Sequence, residues 1–135
     1  MNIQKQLWGK SPSGKEIFLY TITNRSGAFV RLADVGAAIV SIVVPDKDGK
    51  LADVVLGYPC AESYFGDGPC AGKCPGRYAN RIAAGEFSLD GERFTLPVNN
   101  GPNHLHGGPE GFQNRVWESR IDQDAVEFMD YSEDG

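Results

Sequence analysis

A mainly β chain of antiparallel strands, in the manner of a β-sandwich, is what this sequence predicts, and three observations carry the expectation. Short runs of alternating or β-branched apolar residues recur along it, bounded by Gly, Pro, Asn and Asp. Asp90-Gly91 lies between two alternating arms, the strongest short-range hairpin signal a sequence offers. No stretch sustains a helical period between proper caps.

After a polar start, Glu16 to Thr23 sets Ile17, Leu19 and Thr21 against Phe18, Tyr20 and Ile22, a strand with apolar character on both faces. Asn24 to Gly27 reads as a turn. Phe29 to Leu32 resumes the β pattern, and Ala38 to Val44 is rich in β-branched residues that stiffen an extended backbone. Pro45-Asp46-Lys47-Asp48-Gly49 closes it with turn chemistry, and Asp53 to Leu56 reads as a further short buried strand. From Tyr58 to Pro75 three prolines and three glycines fall within 18 residues, a long loop of the kind that often serves function. Gly85 to Leu96 forms the hairpin about Asp90-Gly91, with Pro97 ending its second arm or placing it at an edge. Trp117 to Ile121 and Ala125 to Tyr131 give two more strands around Asp122-Gln123-Asp124. Tyr131 to Gly135 ends on turn residues just after a strand, where a sheet stopped short would expose an edge, so further chain is expected.

At 135 residues the chain has the length of one domain, 1–135, and is short for a large sandwich of roughly 200–250 residues. Its 13 basic and 18 acidic residues give a net charge of -5 with no basic cluster, which argues against a nucleic-acid partner. The N-terminus lacks the apolar core of a secretory signal, and the longest apolar run, Ala37 to Val44, is too short to span a bilayer. A soluble, cytoplasmic protein with no membrane partner is expected. Cys60, Cys70 and Cys74 are odd in number and read as thiols in a reducing compartment. A zinc site joining them to His106 is the sharper alternative, but the spacing lacks paired Cys-x-x-Cys knuckles, so no metal is expected.

Chemistry concentrates between Gly76 and Phe112. Arg81 carries a planar, permanently charged fork suited to sugar hydroxyls or a carboxylate, and Asn80 beside it offers donors and an acceptor; the plain alternative is a surface arginine and a turn asparagine. His106 precedes Gly107-Gly108, whose missing side chains let backbone and ligand approach closely. One hairpin separates the two clusters, which places Asn80-Arg81 beside His106. His104, two residues earlier, falls on the opposite face of an extended segment and reads as a solvent or packing histidine. Tyr78, Phe112 and Trp117 offer flat faces to a sugar ring, with core the preferred reading for Trp117. Asp53, before Val54-Val55-Leu56, is a candidate ligand, with a turn or buried hydrogen-bond acceptor the preferred reading. No Ser-His-Asp set, Walker loop, Rossmann glycine pattern or metal-binding His pair stands out, and no cofactor is expected.

Taken together, Gly76-Arg77-Tyr78-Ala79-Asn80-Arg81-Ile82 and Asn99-Asn100-Gly101-Pro102-Asn103-His104-Leu105-His106-Gly107-Gly108 resemble the aldose 1-epimerase (galactose mutarotase) family. Val44 to Gly49, Asp53 to Tyr58, and Gly111-Phe112 with Trp117 match as well, so the likeness runs from about Gly36 to the last residue. It implies a galactose mutarotase-like antiparallel β-sandwich, here apparently truncated to its N-terminal part, whose concave face binds a hexose. By position, Asn80, Arg81 and His106 match substrate-binding residues. The implied reaction interconverts the α and β anomers of an aldose, the small-molecule partner: a base takes the C1 hydroxyl proton while an acid protonates the ring oxygen.

The family's acid, a histidine in Asn-His-x-Tyr-Phe, and its base, a glutamate nearer the C-terminus, both belong beyond residue 135, so no catalytic residue is expected in this chain. Lys73, Cys74 and Pro75 also depart from the small and apolar residues usual before Gly-Arg. The alternative of another class is a non-catalytic carbohydrate-binding or assembly module of the same fold. A phosphorylated-hexose epimerase would need more cations than Arg77 and Arg81.

Overall fold

The computed structural model describes Met1–Glu133, so the turn segment expected over Tyr131 to Gly135 lies partly outside the described residues. Its largest unit is a five-stranded antiparallel meander: β1 (Asn2–Lys10), β2 (Glu16–Thr23), β3 (Phe29–Ala33), β4 (Ala38–Pro45) and β5 (Leu51–Asp53), paired in chain order. Local chemistry makes its corners. The Asn24 side-chain oxygen accepts from the Ser26 and Ala28 amides, and the Asp46 oxygen accepts from those of Asp48 and Lys50. Each is a polar side chain mimicking a backbone turn.

Two departures from the sequence reading concern the edges of this sheet. The polar start is a nine-residue strand, β1, which pairs with β2 from Asn2↔Thr23 to Lys10↔Glu16. Gln and Lys are poor strand formers on their own, but an edge strand facing water tolerates them. Conversely, the strand expected over Asp53 to Leu56 is displaced to Leu51–Asp53, and its apolar residues are not buried: Val54 is 65% and Leu56 90% exposed. The chain leaves the ladder after Val54, whose amide still reaches the Ile42 carbonyl, and no described element covers the side chains beyond.

The core lies on one face of the meander. Ile17, Leu19, Ala33, Val35, Ala38 and Val40 are buried there against Ala61 and Tyr64. A register shift between Arg31 and Leu32 gives β4 one extra residue, which explains why Val40 and Ser41 are buried consecutively. Ala61 and Tyr64 come from a 3-10 turn, Ala61–Tyr64, inside the 58–75 stretch. That stretch is therefore a lid on the core. Tyr64 packs edge-on to Tyr58 at 5.1 Å and tilted against Trp8 at 5.6 Å.

Charge is buried in the same lid. The Lys73 ammonium, 0% exposed, bonds the Asp67 carboxylate, 2% exposed, and also the Tyr64 carbonyl at 2.6 Å. A buried cation with both a counter-ion and a carbonyl is a satisfied one. From Lys73 onward the chain is stitched to the sheet, with the Cys74 amide on the Gly36 carbonyl and the Ile39 amide on the Gly72 carbonyl. This delivers Gly76 to the site.

Three two-stranded units follow. β6 (Arg81–Ile82) pairs with β9 (His104–Leu105), and β7 (Glu86–Leu89) with β8 (Glu92–Thr95). The turn joining the latter has Asp90 at φ 50° and Gly91 at φ 84°, the double left-handed geometry expected of Asp-Gly. Phe87 and Phe94, directly opposite, stack at 5.0 Å. β10 (Glu118–Asp122) and β11 (Ala125–Met129) form the last hairpin. Val35↔Val116 bridging and the Trp117 amide on the Asp34 carbonyl fasten it to the main sheet. Every described strand pair is antiparallel, so the fold is mainly β as expected.

Beneath that joint, the buried Asp34 carboxylate accepts from the Phe18 amide at 3.0 Å and the Ser119 hydroxyl at 3.3 Å, while the Tyr20 hydroxyl donates to Ser119 at 2.8 Å. Burial raises the Asp34 pKa, and the Phe18 hydrogen bond only partly opposes it. No helix among the described residues is long and apolar enough to cross a membrane.

Candidate functional site

Asn80, Arg81 and His106 meet at the outer end of the β6–β9 pair. Arg81 lies opposite Leu105 and Ile82 opposite His104, so Asn80 and His106 form the next rung. That rung is modified. The His106 amide donates to the Asn80 carbonyl at 3.0 Å, as in a regular ladder, but the Asn80 amide donates to His106 Nδ1 at 2.9 Å, the ring standing where a carbonyl would be. Both residues hold left-handed backbone, φ 67° and 53°, a region where Asn and His occur more often than most residues.

Arg81 is oriented by two asparagines. Its Nε donates to the Asn100 side-chain oxygen at 3.0 Å and one terminal nitrogen to the Asn80 oxygen at 3.1 Å. Asn99 clamps the partner strand, accepting from the Leu105 amide at 2.6 Å and donating to the Leu105 carbonyl at 2.9 Å, and Asn103 accepts from the Ala84 amide. In the sequence motif Asn99-Asn100-Gly101-Pro102-Asn103 these asparagines carry no evident task. The available signal was composition, since three asparagines in five residues at a turn announce side chains that replace backbone partners.

Gly107 is fixed by close approach. A Cβ there would fall 1.8 Å from the Gly76 carbonyl oxygen, so only glycine lets the two segments touch. Phe112 completes the junction, its amide on the Gly76 carbonyl at 3.1 Å and its ring edge-on to Trp117 at 6.0 Å. Trp117 is half-buried rather than core, because its ring N–H reaches the Phe112 carbonyl at the edge of the junction.

A cavity of about 680 Å³ opens beside this cluster. That is within the ~300–1,000 Å³ usual for small-molecule sites. Arg81, Ile82, Phe87, Leu96, His104 and Phe112 are among its walls. Of the three expected site residues, Arg81 lines the cavity, whereas Asn80 stands next to it through its bond to Arg81, and His106 through its bonds to Asn80. Tyr78, 60% exposed, is at its rim. Arg77 and Arg115 also border it, though Arg77 donates to Ser132 and Arg115 pairs with Asp130 at 3.0 Å. His104 is buried with Nδ1 2.7 Å from the Pro97 carbonyl, a packing histidine that nonetheless forms part of the wall.

The remaining candidates stand apart. Asp53 is exposed and takes bonds from the Ser41 hydroxyl at 2.6 Å and the Ile42 and Val55 amides; the Ser41 bond foremost lowers its pKa. Cys60, Cys70 and Cys74 are free thiols, and burial raises the Cys70 pKa. Among the described residues no three His, Cys, Asp or Glu side chains gather as metal ligands.

Several known proteins are similar to this chain. A family model described as aldose 1-epimerase matches residues 19–135. Galactose mutarotase of Sus scrofa is 36% identical over 135 residues, all of this chain and 40% of its own length. Aldose 1-epimerase of Escherichia coli (strain K12) is 40% identical over 126 residues, 93% of this chain and 36% of its own. Among solved structures, an aldose epimerase homologue from C. elegans superposes with a TM-score of 0.74 at 38% identity, covering 82% of this chain and 34% of that one. Galactose 1-epimerase from Lactobacillus acidophilus NCFM gives 0.72 at 26% identity, covering 91% and 36%. The chain thus spans about two fifths or less of each of these proteins.

Proposed function

The chain belongs to the aldose 1-epimerase family, and from that premise we propose that Asn80, Arg81 and His106 bind the sugar of a mutarotase that interconverts the α and β anomers of a hexose such as galactose or glucose. The observation that carries the proposal is the bonding of Asn80 to both Arg81 and His106 beside a cavity of small-molecule size. Arg81 supplies guanidinium donors to hydroxyl or ring oxygens, and His106 supplies a ring nitrogen. Phe112 and Phe87 give the cavity apolar surface on which a pyranose ring packs.

Residues 1–135 contribute binding and orientation, as the N-terminal part of a single sandwich domain. The acid and base are assigned outside these positions: a histidine in Asn-His-x-Tyr-Phe protonates the ring oxygen, and a glutamate takes the C1 hydroxyl proton. The ring opens, C1 rotates, and closure on the other face gives the second anomer. Each such proton-transfer group typically contributes ~10²–10⁴-fold. Neither step needs a cofactor, and the setting proposed is the cytoplasm.

Polarimetry tests this. The 135-residue chain should leave the mutarotation of fresh α-D-galactose at its spontaneous rate, whereas a protein containing it together with both missing groups accelerates it. Robust acceleration by the 135-residue chain alone contradicts the assignment of acid and base. The other class of function, a sugar-binding module without chemistry, follows if the coding sequence downstream of codon 135 encodes neither the Asn-His-x-Tyr-Phe segment nor a later glutamate.

A further inference from the structure

Two ring nitrogens in this chain face partners whose hydrogen-bonding sense is fixed, and they are of opposite kinds. A backbone amide only donates and a carbonyl oxygen only accepts. The Asn80 amide is 2.9 Å from His106 Nδ1, so that nitrogen accepts and the ring proton sits on Nε2. Pro97 offers its carbonyl 2.7 Å from His104 Nδ1, so there Nδ1 carries the proton. Two histidines two residues apart hold opposite tautomers.

We propose that the Asn80 amide locks His106 in the Nε2–H tautomer, making His106 a hydrogen-bond donor toward whatever oxygen approaches it, beside an Arg81 that is likewise a donor only. Asn80 is then a positioning residue twice over, through its amide on His106 and its side-chain oxygen on Arg81. The lock is stiff for structural reasons. The His106 amide on the Asn80 carbonyl closes the ring of contacts from the other side, and Gly107, seated on Gly76, holds the turn that follows. The ligand feature selected is a lone pair on a ring or hydroxyl oxygen, and a sugar hydroxyl meets His106 with its oxygen rather than its proton. In this form the ring has no free lone pair with which to take a proton, so His106 does not act as the base. The sugar as ligand rests on the function proposed above; the tautomer does not.

Nuclear magnetic resonance of the chain with ¹⁵N-labelled histidine and backbone reads this directly, at a pH where both imidazoles are neutral. Long-range ¹H–¹⁵N correlations should show an unprotonated Nδ1 on His106 and a protonated Nδ1 on His104, with a coupling across the hydrogen bond from the Asn80 amide nitrogen to His106 Nδ1. Asn80→Gly keeps both the amide and the left-handed backbone, so the His106 pattern should survive it. A protonated His106 Nδ1, or two His106 nitrogens averaged by exchange, overturns the lock. Galactose titration of the same sample separates the two ideas: an intact tautomer with no response at Nε2–H counts against the sugar reading and leaves the lock standing.

Discussion

Gly107→Ala is the sharpest probe of how the site is assembled. The methyl group would lie 1.8 Å from the Gly76 carbonyl oxygen and 2.5 Å from its carbon, both backbone atoms that cannot rotate aside, and φ at this position is 81°. Left-handed backbone costs an alanine about 1–2 kcal/mol. Relieving the overlap costs about 1–3 kcal/mol more, the usual toll of forcing an extra methyl into packed surroundings. The sum is about 2–5 kcal/mol. Gly91→Ala supplies the control, because Gly91 has φ 84° but nothing within 4 Å of a Cβ, so it carries the backbone term alone. Urea unfolding followed by the fluorescence of Trp8 and Trp117 measures both. The midpoint for Gly107→Ala should fall well below that for Gly91→Ala. Equal midpoints would refute the close packing of the 76 and 107 segments as a source of stability.

Other consequences follow from the buried and charged groups. Lys73→Met leaves the Asp67 carboxylate buried without its cation and should cost about 3–5 kcal/mol, most of it recovered in the Lys73→Met, Asp67→Leu double variant, as chemical denaturation of the three proteins will show. Asp34 has its pKa raised by burial, so the folded state holds that proton longer than the unfolded chain does. The stability it contributes is fully present below the ordinary carboxyl range near pH ~4 and is lost as pH rises through the folded value; Asp34→Asn should flatten that part of a plot of urea midpoint against pH. Arg81→Ala removes charge-assisted donors worth about 1.5–3 kcal/mol, or about 10- to 100-fold in galactose affinity by calorimetry, with the unfolding midpoint nearly unchanged.

Most of the antiparallel architecture was legible in the sequence where one local rule sufficed. Asp90-Gly91 fixed its hairpin, Asn24 and Asp46 fixed their turns, and the β-branched run at Ala38 to Val44 became a strand. Errors arose where context decides. Gln4, Lys5 and Gln6 read as polar lead-in, yet edge pairing with Thr21, Tyr20 and Leu19 respectively makes them strand. Val54 and Leu56 read as buried, but hydrophobicity shows only that a cover is favourable, not that one lies within the described residues. Lys73 gave no sign of burial, since a lysine is read as surface unless its counter-ion six residues away is known to fold back onto it. At the site, the pairing of Asn80-Arg81 with His106 followed from one hairpin and from the family motifs. The density of asparagines at 99–103 hinted at side chains replacing backbone partners, but which of them orients Arg81, and the opposite histidine tautomers, depend on individual contacts that no residue pattern encodes.

Titration of the 135-residue chain with D-galactose, followed by the side-chain resonances of Arg81 and His106, bears most directly on whether this cluster holds an aldose. Saturable, concerted shifts at Arg81 Nε–H and His106 Nε2–H, the latter moved to higher galactose concentration by Arg81→Ala, are the expected result. Shifts confined to other parts of the chain, with both groups unmoved at saturating sugar, would contradict it.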